Sequence, residues 1–392
     1  MGSTSNNPHA ACGELLALCL RGEPWTNDLL DRAIAEDSGR AFFSVVVERL
    51  GDLFEPRLCA VYDRLMSDVI ARVAPELMPR LRTSGAERSA PPETADRVYV
   101  LSRVTLGADV AVTSVLLDAA KRRYPDAEIV FVGPRKSYEL FEADPRVRHV
   151  PTSYSRGGSL GDRLRSSAGL WIEDGLVIDP DSRLTQLGLI AVCPADRYFL
   201  FPSRSYGGES LEQLPDLAAR WAREIFDVGR SRPYIAPREP DLPGAEITVS
   251  LGVGENESKR VAGDFERDLL RILMETGASV LVDKGGSPEE AARVERVLPS
   301  LNVPPHGGGA RTHEGSFGVF ASLIRGSRLF VGYDSAGGHV ASACGVPLIS
   351  VAKGFASDRM AARWRPNGFV IDGNDPQLLL KVRSALTLIP GP

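Results

Sequence analysis

Cysteine is scarce and scattered in this chain of 392 residues: Cys12, Cys19, Cys59, Cys193 and Cys344 form no CxxC pair. That excludes a disulfide framework and a thiolate zinc site, and suits reduced thiols in a cytoplasm. Histidine is equally sparse, and His9, His149, His306, His313 and His339 show no metal-ligand spacing. Charge of one sign is not in excess. A net charge of −5 argues against a general nucleic-acid binder. No apolar run reaches the ~18 residues a membrane helix needs, and the first residues show neither a basic n-region nor an apolar h-region. These features read as a cytoplasmic protein with no transmembrane segment.

What is present is an alternation of strand and helix patterns. Residues 10–83 carry apolar residues at spacings of three and four, which predicts a small subdomain of three to five helices. A proline-bearing polar stretch, 84–95, reads as a linker. RVYVLS from Arg97, a glycine-bearing loop 103–109, an amphipathic helix 109–124 and the strand EIVFVG predict a parallel βαβ unit. Further expected elements are KSYELFEAD (helix), VRHV (strand), LVID with PDSRLTQLGLI (strand and helix) and RYFLFPS (strand). The domains expected are therefore 1–95, a helical extension with linker; 96–205, a first α/β domain; 206–245, a proline-rich interdomain segment; and 246–392, a second α/β domain. In the last, HGGGARTHEGS reads as a loop, and an amphipathic helix near the C-terminus is placed to cross back to the first domain.

The stretch Ser327–Val351 organises the rest. Leu329–Val331 reads as a strand, and Gly332–Gly338, three glycines in seven residues, as a loop. Val340–Cys344 reads as a short helix stopped by Gly345 and Pro347, and Leu348–Val351 as another strand. A strand running through a glycine turn into a helix N-terminus is an anion site, because unpaired amides and the helix dipole favour phosphate there. The plainer alternative is that Asp334 and Ser335 cap the helix and His339 is a satisfied, half-buried imidazole.

The same stretch, DSAGGHVASACGVPLISVAKG, resembles the C-terminal signature of the family 9 glycosyltransferases, the bacterial heptosyltransferase family. The matches are Asp334, Ser335, Gly338 in a shifted role, His339, Ala341, Ala343, Gly345, Val346 and Pro347. Ala336 stands where the family has glycine. After the first strand, Arg103, Val104, Thr105, Gly107, Asp109, Val110 and Thr113, then Tyr124-Pro125-Asp126-Ala127, match a second family segment, with Ala108 replacing glycine. Val177-Ile178-Asp179 and Arg183 resemble a third. The resemblance covers about 96–385 and leaves out the helical N-terminus.

The fold implied is α/β of the GT-B type: two Rossmann-like domains facing a cleft, here with an extra helical subdomain. The activity implied is inverting, metal-independent glycosyl transfer from a nucleotide sugar, ADP-heptose first. Acceptors in view are a lipopolysaccharide core or other lipid-linked sugar, a natural product, a nucleoside or a protein. No cofactor is expected, the ADP-sugar being a substrate. By the resemblance Asp109 is the catalytic base; the residues alone also allow an N-cap. Donor binding falls to Lys259, Asp334, Ser335, Ala336, Gly337, Gly338, His339, Gly254 and Lys284, with Lys259 a surface lysine on the plainer reading. The acceptor side falls to Arg103, Thr105, Asp179 and Arg183. The N-terminal helices could support a homo-oligomer. A sugar-nucleotide epimerase or hydrolase, or a non-catalytic binding protein of the same fold, stands as the alternative.

Overall fold

The computed structural model describes residues 9–82, 90–155, 157–166, 168–254, 256–298 and 309–389. Part of the expected linker, 84–89, and the first residues of the expected loop at 306–316 lie outside these ranges. The chain starts with a helical layer: α1 (Ala10–Arg21), α2 (Asn27–Ala35), α3 (Glu48–Asp52) and α4 (Pro56–Val73). Thr26 caps α2 by accepting from the Leu29 amide, as its place before an apolar-periodic run predicts. The apolar stripes of these helices close over Leu160, Leu164, Leu187, Leu189 and Ile190, so the layer packs on the first α/β body.

That body is a five-stranded parallel sheet of order β3-β2-β1-β4-β5. Its elements are β1 (Arg97–Leu101), α5 (Leu106–Ala108), α6 (Ser114–Arg123), β2 (Glu128–Gly133), α7 (Arg135–Tyr138), β3 (Val147–Pro151), α8 (Leu160–Arg165), β4 (Leu176–Asp179), β5 (Tyr198–Leu200) and α9 (Leu214–Phe226). A π-helical turn, Asp109–Thr113, joins α5 to α6, so the helix begins three residues earlier than expected. Strands such as EIVFVG are covered on both faces by helices, which is why they read as continuous apolar runs rather than alternating ones. The α9 helix, inside the stretch expected to be interdomain, packs on α6.

No helix forms over PDSRLTQLGLI. After one 3₁₀ turn, Gln186, Leu187 and Gly188 all take positive φ (50°, 61° and 86°), a conformation that ends a right-handed helix. Ser182 and Asp179 hydrogen bonds fix the turn instead.

The second sheet has six parallel strands of order β11-β10-β9-β6-β7-β8. They are β6 (Ile247–Ser250), β7 (Val280–Asp283), β8 (Ala310–His313), β9 (Leu329–Tyr333), β10 (Leu348–Ala352) and β11 (Phe369–Asp372), with α10 (Phe265–Met274), α11 (Pro288–Val297), α12 (Phe317–Arg325), α13 (Ala336–Cys344), α14 (Asp358–Trp364) and α15 (Leu378–Leu388). The β8 strand was expected to be loop. ARTH is a short edge strand with polar, half-exposed residues, so it lacks the apolar signature of its neighbours. Helix α15 does not cross to the first sheet: Val382 and Ala385 complete the core beneath α10.

One apolar core joins the two bodies. Val110, Val115 and Trp221 of the first share a cluster with Phe320, Ile324, Val340 and Ala341 of α12 and α13. Arg363, on α14 and fully buried, fastens the contact. Its guanidinium donates to the carbonyls of Ser203 (2.9 Å), Tyr206 (3.2 Å) and Gly208 (2.9 Å) in the loops after β5. Burial pulls its pKa down to about 10. No carboxylate within bonding distance offsets the lost hydration among the described residues; carbonyls and the face of Phe54, 5.3 Å away, do. Arg363→Ala would strand several buried carbonyls, so we predict a loss of at least about 3 kcal/mol. Arg363→Lys, which lacks the planar fork, should recover little of it. Thermal unfolding of both variants checks this; a wild-type Tm for the Ala variant would show that the loop is held by other means.

Candidate functional site

The carboxyl ends of β6, β9 and β1 face one another, and the site is built there. Asp334 follows β9, and its amide donates to the Val351 carbonyl at 2.9 Å. Ser335 is fully extended (φ −154°, ψ −178°), and α13 starts at Ala336, four residues earlier than the sequence suggested. The glycines serve close packing rather than looseness. A Cβ on Gly332 would sit 2.4 Å from the Ser250 carbonyl, and one on Gly337 would sit 2.5 Å from the Phe330 ring. The helix therefore lies almost on the strand and presents its first amides at the cleft. Ser335 does not cap it, and its Oγ is buried with no partner among the described residues. Gly345, at φ +70°, ends the helix as expected.

Lys259 comes to the mouth of this helix. The turn Glu257–Lys259 after β6 carries it there, and its ammonium donates to the Asp334 carboxylate (2.8 Å) and carbonyl (3.1 Å). The surface-lysine reading does not hold, since both side chains are largely covered. His339 is half-buried and neutral in tendency. Burial lowers its pKa, Asp334 opposes that and Lys259 reinforces it. Its ring meets Trp364 edge-on at 5.8 Å. Across the cleft, a Cβ on Gly107 would fall 3.0 Å from the His339 ring, so the loop after β1 touches α13 directly.

Other expected donor residues are placed less centrally. Gly254 forms an exposed turn at φ +63°. Lys284 is held by Glu295 (2.7 Å) and Glu314 (3.1 Å) on the β7–β8 side of the sheet, so its charge is already matched. Glu290, which the sequence reading passed over, ties the loops together by accepting from the amides of Val253 (3.2 Å) and Gly286 (2.8 Å). A Ser-Pro-Glu-Glu helix start was the signal available, but it pointed only to a cap.

On the first sheet, Asp109 is neither an N-cap nor open to the cleft. It is fully buried within the helix. Its carboxylate accepts from Ser102 Oγ (2.7 Å), the Arg103 amide (2.7 Å) and Thr113 Oγ1 (2.8 Å), with Ser137 nearby. Burial raises its pKa and these donors oppose the rise. Asp109 thus pins the loop that carries Arg103 and Thr105. The Thr105 carbonyl accepts from the Asp109 amide. The Arg103 guanidinium bonds the Pro180 carbonyl and Ser203 Oγ and lies over Trp364 at 5.7 Å. Asp179 is fully buried and structural, accepting from the Ser182 amide, Thr185 and Tyr198. Arg183 is half-buried, and its Nη1 has no partner among the described residues. The structure therefore gathers Arg103, Thr105, Arg183, Lys259, Asp334, Ser335 and the α13 amides around the cleft, and sets Asp179, Lys284 and Gly254 back from it.

Residues 254–363 match the family described as glycosyltransferase family 9 (heptosyltransferase). No curated protein matches the sequence. Among solved structures, the chain is similar to the E. coli heptosyltransferase WaaC with ADP (17% identity, TM-score 0.54, covering 74% of this chain and 97% of that one). It is also similar to E. coli ADP-heptose lps heptosyltransferase II (18%, 0.53, 75% and 98%). A third likeness is to the glycosyl transferase family 9 structure from Veillonella parvula (16%, 0.52, 72% and 87%). The fold is that of the GT-B glycosyltransferases. The segment carrying Lys259 and α13 is similar to glycosyltransferase family 9, as the sequence resemblance implied.

The packing of Asp109 gives a stability prediction. Asp109→Ala leaves three buried donors without an acceptor and should lower stability by at least about 2 kcal/mol. A residue acting only as an N-cap would cost about 1 kcal/mol. Denaturant unfolding separates the two values.

Proposed function

We propose that this protein transfers a sugar from a nucleotide diphosphate sugar, ADP-heptose or a close relative, to an acceptor hydroxyl, with inversion and without a metal. The observation that carries the reading is Lys259 clamped to Asp334 at the N-terminus of α13, inside the family 9 segment. A departing diphosphate needs positive charge and hydrogen-bond donors where its charge develops. The first-turn amides of α13 and the unpartnered Ser335 hydroxyl supply donors. The Lys259 ammonium has three donors, two of them engaged by Asp334, which leaves one for phosphate. Arg103 and Arg183 stand on the opposite wall, where an acceptor would lie. WaaC, similar in fold, is described with ADP, which supports adenine nucleotides as the first donors to test. The acceptor classes that fit are a lipid-linked core sugar, a natural product, a nucleoside or a protein. A cytoplasmic location suits a nucleotide-sugar donor and five unpaired cysteines.

ADP and ADP-heptose are expected to raise the Tm, because a ligand that binds only the folded chain stabilises it. Stabilisation by UDP but not ADP would remove the heptose donor. Lys259→Ala should weaken ADP binding by about 1.5–3 kcal/mol, the value of a hydrogen bond to a charged group. Calorimetric titration measures this, and unchanged affinity in a folded variant would exclude Lys259 from the donor site. Transfer should also persist in excess EDTA; loss with rescue by Mg²⁺ or Mn²⁺ would overturn the metal-free mechanism.

A further inference from the structure

The seam between the helical layer and the first body buries polar atoms that the chain itself does not satisfy. The loop after β4 takes positive φ at Asp181 (68°), Gln186 (50°) and Leu187 (61°), a conformation that non-glycine residues keep only where the surroundings impose it. Its polar side chains meet the layer. Arg204, from the loop after β5, lies over the Tyr62 ring of α4 at 4.7 Å. The Arg204 Nε donates to Asp181 Oδ2 at 3.1 Å, and its Nη2 to the Leu187 carbonyl at 3.0 Å. Arg183 meets α3 at Gly51, where a Cβ would sit 3.2 Å from its Nη2, and lies 5.5 Å over the Phe43 ring. Gln186 donates through Nε2 to the Arg163 carbonyl at 3.3 Å.

Each of these groups keeps one atom open. Tyr62 Oη, Asp181 Oδ1, Arg183 Nη1, Gln186 Oε1 and Arg204 Nη1 are buried without a hydrogen-bond partner among the described residues. Tyr62 and Gln186 have no exposed surface, and Asp181 and Arg204 keep 1% and 8%. Buried polar atoms without partners are rare and costly, so several along one seam point to a ligand rather than to packing. Ordered water is the plainer occupant. Charge argues against water alone. Arg204 has Asp181 as its counter-ion. Arg183 has no ion-pair partner among the described residues, and Asp52 and Glu48 of α3 favour its charge only from beyond bonding distance. A cation taken out of water needs an anion or a full set of acceptors. The open atoms also define that anion. Arg183, Arg204 and Tyr62 can donate to it, whereas Asp181 Oδ1 and Gln186 Oε1 only accept. The ligand must therefore carry an O–H as well as negative charge. A phosphate group meets both conditions: its last proton leaves at about pH 6 and is held longer beside a carboxylate. Sulfate has no proton to offer and would set a bare oxygen against Asp181.

We propose that this seam is a phosphate site. Arg183, Arg204 and Tyr62 donate to a protonated phosphate group. Asp181 Oδ1 accepts its O–H, and Gln186 Oε1 accepts a second one where the ligand has it. The ligand is inorganic phosphate or the phosphate monoester of a small molecule. The site is built from the helical layer and the first body, apart from the α13 turn, and does not depend on the transfer reading. It is joined to the cleft wall all the same. Ser203 Oγ donates to Asp181 Oδ2 and accepts from Arg103, at 2.9 Å each, so the loop that holds the ligand also holds Arg103.

The test titrates the full chain calorimetrically with inorganic phosphate, glycerol 3-phosphate and sulfate at one ionic strength. Phosphate or the monoester should bind at least about tenfold more tightly than sulfate, the value of one hydrogen bond to a charged group. Whichever of the two binds more tightly identifies the source of the group. Sulfate also controls for the general stabilisation that both salts give by exclusion from the surface. Tyr62→Phe keeps the ring under Arg204 and removes the hydroxyl, and should weaken phosphate binding at least about tenfold. In phosphate-free buffer its Tm should be unchanged or higher, because the hydroxyl it loses has no partner in the chain. Lys259→Ala, at the α13 turn, should leave phosphate affinity as it is. Equal affinity for phosphate and sulfate, or no binding of phosphate or the monoester at millimolar concentration, overturns the proposal. So does a lower Tm of Tyr62→Phe without phosphate, which would show that water already serves the hydroxyl. Phosphate binding lost in Lys259→Ala but kept in Tyr62→Phe would move the anion to the donor turn and overturn it as well.

Discussion

The closed arrangement of the two sheets rests on a buried cation with no bonded carboxylate among the described residues. Arg363 reaches from α14 into the loops after β5 and is fixed there by carbonyls and an aromatic face. A guanidinium removed from water is costly unless its donors are satisfied. This one can be satisfied only when α14 lies against the first body. The constraint therefore selects one relative position of the sheets. That position places Trp364 beside Arg103 and His339, and Phe54 beside both Trp364 and Arg363.

Within that frame the cleft divides its work by charge. The wall from the second sheet sets Lys259 at the N-terminal end of α13, with Asp334 holding the lysine in place. The opposite wall carries two arginines, one bonded to the protein and one with a donor to spare. Asp109 and Asp179 of the first sheet accept internal hydrogen bonds that shape loops, and Asp181 accepts from Ser203 and Arg204 through one oxygen. A buried carboxylate with three donors is a rigid structural pin, and rigidity of the loop bearing Arg103 is what such a pin provides.

Much of this was legible in the sequence because it rests on local rules. Apolar runs of strand length gave most strands of both sheets, since parallel strands are buried on both faces. The motif around Asp334 gave the turn between β9 and α13, and Gly345 with Pro347 gave the end of α13. The failures were equally physical. β8 is an edge strand with polar residues and no apolar signature. The turn at Gln186–Gly188 is left-handed because of side-chain bonds to Asp179 and Ser182, which no periodicity reveals. Gly332 and Gly337 looked like loop residues, yet each is needed where a backbone or ring approaches within 3 Å of an absent Cβ.

By itself the sequence determined the α/β alternation, the helical extension and the family to which the second sheet's segment is similar. All follow from periodicity and from motifs contained in short stretches. Only the tertiary structure decided how each carboxylate is held. Asp109 and Asp334 look alike as letters, each in a motif after a strand. Burial and hydrogen bonding, which depend on residues elsewhere in the chain, set Asp109 among Ser102, Arg103 and Thr113 and set Asp334 against Lys259.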